Sequence, residues 1–442
     1  MTEHRIIKGY WWISNSPEEK VAGILTYIPG ESLMLEIIGQ FKPDVSAVEE
    51  FIKSENEDVI YGFSSDAKKI TLINCHRSGG SLNFSCPFPV QKYSCRHLII
   101  GAHIESLETP HFFKAQISLP YLSLWATPNA IETTTTFKEN SIEKCNVAFN
   151  AKENNIDSLD METYKLSIDG VVNYDGDYYE PQIKQKTIAT ITKTADFSLK
   201  DILHKIFLFE QFISFATLKY NKSNKIILFD KFIYQELNDG KRHFFPIEYI
   251  QVNRDTENIR KPKVLERTNF LFTYETIKQE FHLILKKWFL EQDDIAPIRH
   301  HLIECVRHKG IFSSVDFLMV IQAIEGFWWR FRESNYRLAN NITGKKQTKL
   351  YTILLCLINE FQDISSLKLN EIKIEEVVDS RHYFSHFIPK DEKPFAKDGL
   401  DLYHLYCQIR KLLICCLLNF VGFKNEQISA IVSASNNSIF HS

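Results

Sequence analysis

The hydrophobic pattern of this sequence changes along the chain, and that change limits the folds open to it. Up to about residue 195, apolar and polar residues alternate in short runs separated by loops rich in Gly, Asn, Ser and Asp. This is typical of antiparallel strands with one buried face. From Thr273 onward, apolar residues recur at intervals of three and four, which predicts helices. A chain of 442 residues is also too long for one ordinary core, so we expect more than one domain.

The first part contains a series of predicted strands. Val21–Ile28 and Ser32–Ile38 flank the turn signal Pro29-Gly30 and predict a hairpin. The polar segment 133–155 is interpreted as a long loop. Spacing and alternation of the runs predict an antiparallel sandwich or barrel. The other predicted strands cover residues 6–13, 59–63, 70–75, 97–105, 112–119, 164–168, 184–191, 225–229 and 244–250.

One amphipathic helix is added to this β-rich part. Ser198 and Asp201 resemble a capping pair, and helical spacing continues to about Lys219. The polar stretch 253–263, which contains Pro262, predicts a linker. We therefore expect an α+β chain of two domains: a β-rich sandwich or barrel over residues 1–262 and an all-α helical bundle over residues 263–442. Helices of the bundle are predicted at residues 274–290, 297–308, 313–331, 347–361, 372–387 and 400–421.

Composition narrows the classes of partner and compartment. The net charge of −3 gives no general attraction to nucleic acid, so an RNA-binding surface must be a local patch. The nine cysteines include no CxxC pair, and Cys415-Cys416 lie in an apolar helical pattern, which favours buried thiols and a cytoplasmic protein. Charged residues interrupt the apolar run 400–423 and no apolar signal core follows Met1, so we expect no membrane span.

Arg381 and His386 form the candidate catalytic motif. They match an R-x(4–6)-H pattern near the end of a predicted helix. Histidine suits the proton transfers of RNA cleavage, and the arginine fork suits the phosphate. Five residues correspond to about 140° of net rotation on a helix, so the two side chains do not share a face. They converge only if the helix ends or bends near His386, which Pro389 favours, or if a second subunit completes the site.

Chance alone yields about one such match in a chain of this composition. A second match, Arg96 to His103, lies in a predicted strand and is interpreted as chance. A zinc site is also weakly suggested, but the spacings match none of the usual zinc motifs, and we predict neither a metal nor a cofactor. The residues concerned are Cys75, His76, Cys86, Cys95 and His97.

The wider context of the motif resembles a known family. The segment "VVDSRHYFSHF", with "FLMVIQAIEGFWWR" before it and "LYHLYCQIRKLLICCLLNFVGF" after it, is similar to the ApeA-like branch of the HEPN family over roughly residues 299–423. The segments "GYWWISNSPEEKVAGILTY" and "SLMLEIIGQF" resemble the ApeA N-terminal domain. The order of the two domains agrees with that family.

The resemblance implies a homodimeric helical bundle with ribonuclease activity, used in abortive defence against phage. The N-terminal domain would then sense a phage-derived trigger. Arg381 and His386 match the motif residues, Glu325 matches an acidic position, and His382 stands where many members have Asn. The expected reaction is metal-independent RNA cleavage. The alternatives are a non-catalytic HEPN scaffold that binds RNA or nucleotide, and a β-domain binding module whose helical half only dimerises.

The supporting residues each have a second interpretation. Glu325 lies at the rim of an apolar stripe, where it either orients Arg381 or makes an ordinary ion pair between helices. A local basic stretch is either a track for the RNA backbone or a solvated helix end. The members of that stretch are Arg330, Arg332, Arg337, Lys345, Lys346 and Lys349.

Overall fold

This computed structural model describes residues 4–41, 56–81, 89–127, 131–149, 155–177, 179–180, 182–252, 263–290, 292–307, 312–343 and 347–435. The chain divides into two compact units. The first comprises Met1–Ser123, Pro128–Phe207 and Lys222–Lys261. The second comprises Leu124–Thr127, Leu208–Asn221 and Pro262–Ser442. The predicted linker is almost wholly outside the described residues, and the domain boundary at 262/263 stays a prediction.

The first unit contains a closed barrel of six antiparallel strands. They pair in the order β6-β3-β2-β1-β4-β5, and β5 also pairs with β6, which closes the barrel. Alternate side chains fill the interior, with Trp11, Leu35 and Leu72 fully buried. Gly62 is required beside Trp11, because a Cβ there would lie 2.4 Å from the indole ring. The strands are β1 (Arg5–Ile13), β2 (Val21–Ile28), β3 (Ser32–Ile38), β4 (Glu57–Ser64), β5 (Lys69–Ser81) and β6 (Val90–Ile100).

The ladder continues beyond the barrel as an antiparallel sheet in the order β10-β11-β12-β7-β13-β16-β6. One face is apolar and buried, with Ile117, Ile168 and Ile191 among its residues. The other face is polar, as strict alternation along each strand requires. The further strands and the first helices are β7 (Pro110–Ser118), α1 (Leu122–Ala126), β10 (Asn155–Met161), β11 (Tyr164–Asp175), β12 (Gln182–Ser198), α2 (Leu199–Thr217), β13 (Lys225–Asp230) and β16 (Ile247–Gln251).

The predicted loop at 133–155 is wrong, because most of it forms a hairpin. Strands β8 (Ile131–Lys138) and β9 (Ser141–Phe149) pair with Lys138 opposite Ser141. The two residues between them, Glu139 and Asn140, both have positive φ, as tight hairpin turns require. The strands are exposed almost throughout, and the run of polar residues from Glu132 to Thr136 hides the alternation on which the prediction depended. A smaller hairpin joins β14 (Tyr234–Glu236) to β15 (Arg242–Phe244).

The second unit contains the helical bundle, so the predicted two-domain α+β fold is confirmed. The predicted helix 274–290 is two helices, and two short helices, α7 and α11, were not predicted. The longest helix, α10, is apolar enough to cross a membrane, but 72% of its most apolar window is buried in the fold. The helices are α3 (Tyr274–Ile277), α4 (Phe281–Leu290), α5 (Gln292–Arg307), α6 (Ser314–Phe331), α7 (Glu333–Ala339), α8 (Leu350–Glu360), α9 (Ile374–His386), α10 (Gly399–Val421) and α11 (Asn425–Ala434).

Candidate active site

Helix α9 ends at His386, and this end brings the two motif residues together. Phe387 adopts the left-handed conformation, with φ 54° and ψ 32°, and stops the helix. Nη1 of Arg381 then lies 2.6 Å from Nε2 of His386. The first of the two routes to convergence, a helix end near His386, is the one that the structure shows within a single chain.

The contact fixes the hydrogen-bonding state of the imidazole. A guanidinium carries only donors, so Arg381 donates and Nε2 of His386 must be the unprotonated acceptor. Nδ1 therefore carries the proton of the neutral ring. The imidazole is solvent-exposed, and the Ser385 hydroxyl donates to the Arg381 carbonyl at 2.6 Å, which steadies the last turn.

Glu325 reaches the same guanidinium from helix α6. Its Oε2 lies 3.7 Å from Nη2 of Arg381, and the two side chains are 22% and 26% exposed. Helix α6 begins with a capping box of Ser313 and Asp316, whose carboxylate accepts from the Ser313 amide at 2.8 Å. Burial raises the pKa of Glu325, although the charges of Arg381 and His386 oppose that shift. The guanidinium thus lies between a carboxylate and an imidazole.

His382 lies one helical turn before His386, with the ring centroids 5.8 Å apart. Burial lowers the pKa of His382, and the charges of Lys393 and Arg381 lower it further. The ring is therefore neutral at pH 7. Its Nδ1 is buried and has no hydrogen-bond partner among the residues that the structure describes.

The connection between α9 and α10 folds back on α9 beside the motif. Lys393 pairs with Asp379 at 3.4 Å, and the amide of Phe395 donates to the same carboxylate at 3.3 Å. The amide of Lys397 donates to the buried Ser380 hydroxyl at 2.9 Å. Sequence reasoning missed these contacts, although Asp379 and Ser380 directly precede the arginine of the motif. They fix the connection so that the Lys393 charge acts on His382.

The candidate site lies in a part of the chain that matches a known family. The family described as ApeA N-terminal domain 1 matches residues 6–288, more than half of the chain, and the family described as Apea-like HEPN matches residues 318–427. This chain belongs to the ApeA N-terminal domain 1 family. An Apea-like HEPN domain follows in the same chain. Comparison with curated proteins and with solved structures found no match.

The HEPN match includes every residue of the candidate site, from Glu325 to His386. ApeA-like HEPN domains are, at family level, nuclease-type effectors of abortive infection, and HEPN domains are generally ribonucleases that commonly dimerise. The resemblance inferred from the motif and its flanking helices is therefore confirmed.

The basic stretch of this ApeA-like HEPN domain is largely engaged within the fold. Arg332 binds Glu360 at 2.7 Å and the Asn419 amide oxygen at 2.7 Å. Arg337 binds the buried Glu333 at 3.2 Å. Arg330 is exposed and donates to the carbonyl of Asp294, while Lys345 and Lys346 lie outside the described residues. Arg332 thus connects the end of α6 to α8 and α10, Arg337 makes an ion pair within α7, and the RNA role of the stretch stays a prediction.

The other sequence clusters have local structural partners. Nε2 of His103 lies 3.0 Å from the carbonyl oxygen of Gly62, and His103 is not part of a helix. Cys75 on β5 and Cys95 on β6 lie opposite each other in the sheet, and both are buried free thiols. Nδ1 of His97 lies 2.7 Å from the Tyr249 hydroxyl, and burial lowers the pKa of His97 to about 4. Within the described ranges, no three His, Cys, Asp or Glu residues are arranged to hold a metal ion; Cys86 falls outside those ranges.

Proposed function

We propose that this ApeA-like HEPN protein is a metal-independent endoribonuclease that acts in abortive infection against phage. One observation carries the proposal: a guanidinium and an imidazole in contact at 2.6 Å, at the exposed end of a helix and next to a half-buried carboxylate. These groups suit phosphoryl transfer to a ribose 2′-hydroxyl, which needs proton transfer and stabilisation of the phosphate charge.

The proposed reaction begins with attack of the ribose 2′-oxygen on the adjacent phosphorus. The 2′-hydroxyl loses its proton to a base, the bond from phosphorus to the 5′-oxygen breaks, and the leaving 5′-oxygen gains a proton. The products are a 2′,3′-cyclic phosphate and a 5′-hydroxyl. Arg381 would bind the phosphate and stabilise the charge on its oxygens, because its planar fork matches phosphate geometry.

His386 would transfer the protons as general base or general acid. Its Nε2 is unprotonated in this arrangement and becomes available as a base once the Arg381 guanidinium turns toward a bound phosphate. Glu325 would limit how far the guanidinium turns, since it remains on the opposite side of Arg381. His382 would orient or assist from the preceding turn.

We further propose that the protein acts as a cytoplasmic homodimer restrained until infection. Exposed apolar side chains near the motif support a partner surface: Phe387 is 88% exposed, Phe395 55% and Leu400 69%. The N-terminal domain would respond to a phage-derived trigger. Restraint is required because unregulated RNA cleavage would kill the host cell.

The proposal is tested by inducible expression of wild type, Arg381→Ala and His386→Ala, with growth and RNA integrity on a gel as readouts. We expect wild type to arrest growth and fragment RNA, and both variants to do neither. His404→Ala is the matched control, because this exposed histidine lies on α10 and not in the motif. Equal RNA damage in all four strains would refute the nuclease assignment.

The purified protein separates this reaction from the alternatives. RNA fragments with 2′,3′-cyclic ends, produced equally with and without EDTA, are expected from the proposed chemistry. Growth arrest retained by His386→Ala would instead indicate a non-catalytic HEPN scaffold that binds RNA or nucleotide. Growth arrest retained after removal of the helical domain would indicate a binding module in the β-rich domain.

A further inference from the structure

The polar face of the sheet in the first unit contains an open groove of about 580 Å³, formed by β7, β10, β11 and β12. This volume lies in the range of small-molecule sites. The groove is not an ordinary solvated face, because the Ser167 and Thr190 hydroxyl side chains on its floor are only 9% and 5% exposed. A ligand in the groove would therefore lie against the sheet on one side.

One end of the groove is cationic. Lys165 on β11, Thr192 on β12 and Lys114 on β7 are in register, so the two lysines flank the threonine hydroxyl. Adjacent strands lie about 4.8 Å apart. Within the described part of the chain, neither lysine has a carboxylate at ion-pair distance, although Asp160 is opposite Lys165 on β10. Lys114 instead lies 5.0 Å from the centroid of the Phe229 ring. Two such amines and a hydroxyl suit phosphate oxygens.

The middle of the groove presents a carboxylate. Asp169 accepts hydrogen bonds from Ser167 at 2.8 Å, Thr190 at 3.0 Å and Asn155 at 2.9 Å. All three donors are neutral, so they hold the carboxylate in place and leave its charge uncompensated. A carboxylate has about four acceptor sites, so Asp169 can accept one further hydrogen bond, such as one from a ribose hydroxyl.

The far end of the groove is aliphatic. Ile188 lies beside Asp169 in the sheet, and Val171 follows two residues later on β11. Lys165 and Asp169 are four residues apart on one strand, a separation of about 13 Å. Along this direction the groove thus presents cations, then the carboxylate beside Ile188, then Val171, which lies opposite Lys186 on β12.

We propose that this groove binds a nucleoside di- or triphosphate. Lys114 and Lys165 receive the phosphates, Asp169 accepts from the ribose 2′-hydroxyl, and Val171 and Ile188 pack against the base. The separation of the two charged ends favours more than one phosphate. A continuous RNA strand fits less well, because its next phosphate would approach the Asp169 carboxylate. This site is separate from the Arg381/His386 motif, and the proposal does not depend on the proposed ribonuclease activity.

The test is calorimetric titration of the full-length protein with ATP, GTP, CTP and UTP in turn, with 2′-deoxy-ATP, tripolyphosphate and a short oligoribonucleotide for comparison. We expect at least one ribonucleotide to bind. Lys114→Ala and Lys165→Ala should each weaken it by about tenfold or more, since each removes a charge-assisted contact. Asp169→Asn should weaken the ribonucleotide to the level of its 2′-deoxy form. Lys8→Ala, an exposed lysine on the barrel, is the matched control and should bind like wild type.

Three results would overturn the proposal. The first is no heat of binding with any of the four ribonucleotides at millimolar concentration. The second is binding that survives in the Lys114→Ala/Lys165→Ala double variant, which would place the ligand elsewhere. The third is binding of the oligoribonucleotide alone, which would assign the groove to a polynucleotide. Melting temperatures of the variants, measured without ligand, show that each is folded before it is titrated.

Discussion

Two glutamates of the helical domain provide a test that separates a site residue from a structural one. Glu325 contacts Arg381 at 3.7 Å, and burial raises its pKa. Glu333 is buried and accepts from Trp328 Nε1 at 2.5 Å and from Thr348 at 2.8 Å. Burial alone would raise the pKa of Glu333, but its hydrogen bonds and Arg337 outweigh burial and lower it. The same substitution, Glu→Gln, should therefore have opposite consequences at the two positions.

The expected effect on stability follows from the sign of each pKa shift. Glu333 has a lowered pKa in the folded state, so its ionised form adds stability above the pKa of the unfolded chain, and this is lost as pH falls through the folded value. Glu325 has a raised pKa, so its ionised form opposes folding at neutral pH, and stability recovers as pH falls through that raised value.

The magnitudes differ enough to measure. Glu333→Gln leaves donors of Trp328, Thr348 or Arg337 without their acceptor and should cost about 3 kcal/mol. The melting temperature should then fall by about 6–12 °C. Glu325→Gln loses a partly exposed ion pair of about 0–1 kcal/mol and also removes a buried charge, so the melting temperature should stay within about 3 °C of wild type.

RNA cleavage should show the reverse order, with a larger loss in Glu325→Gln than in Glu333→Gln. Without a carboxylate beside it, the Arg381 guanidinium loses an attraction of about 1 kcal/mol in water and about 4 kcal/mol near a protein surface. We expect Glu325→Gln to cut RNA at least about tenfold more slowly, a barrier increase of about 1.4 kcal/mol. Calorimetric melting and gel-based RNA cleavage of the two purified variants are the assays. If Glu325→Gln melts as far below wild type as Glu333→Gln and cleaves RNA normally, the positioning role of Glu325 is wrong.

Two further substitutions test the surroundings of the site. His382→Asn should cleave RNA at pH 7.5 within about tenfold of the wild-type rate, because the lowered pKa of His382 already makes the ring neutral there. Only the acidic limb of the pH–rate profile should change. Arg299 is 1% exposed, and within the described residues its Nε and Nη2 have no hydrogen-bond acceptor. Arg299→Met should therefore keep or raise the melting temperature of the protein. A large drop in the melting temperature would show that the buried charge is compensated.

The sequence predicted the ends of the helices that carry the candidate site well, because the relevant signals are local. Ser313 and Ser314 were both possible caps of α6, and Ser313 is the one observed; α9 ends one residue before the predicted end, ahead of Pro389. Such stop signals act through nearby backbone groups, so a single sequence contains them. The predicted strands Val21–Ile28 and Ser32–Ile38 have their predicted bounds for the same reason, since Pro29-Gly30 fixes the turn between them.

Contacts between distant residues were not available from the sequence. Arg332 and Arg337 belong to a basic stretch of the sequence. The residues that bind Arg332, which are Glu360 and Asn419, are 28 and 87 residues away from it. The hairpin at β8 and β9 was missed because its first strand contains a run of polar residues from Glu132 to Thr136. The closure of the barrel by β5 and β6 depends on backbone pairing, which leaves no simple pattern in composition.

The position of the motif at a helix end explains how Arg381 and His386 meet although they do not share a helix face. On a continuous helix, a histidine four residues after the arginine and a histidine six residues after it would lie in directions about 200° apart around the axis. No fixed guanidinium could meet both positions. Arg381 instead reaches about 7.5 Å along the axis toward the end of α9, where no following turn blocks its path to His386. The left-handed Phe387 ends the helix directly after His386. The open end of α9 is therefore the feature of this chain that allows the contact.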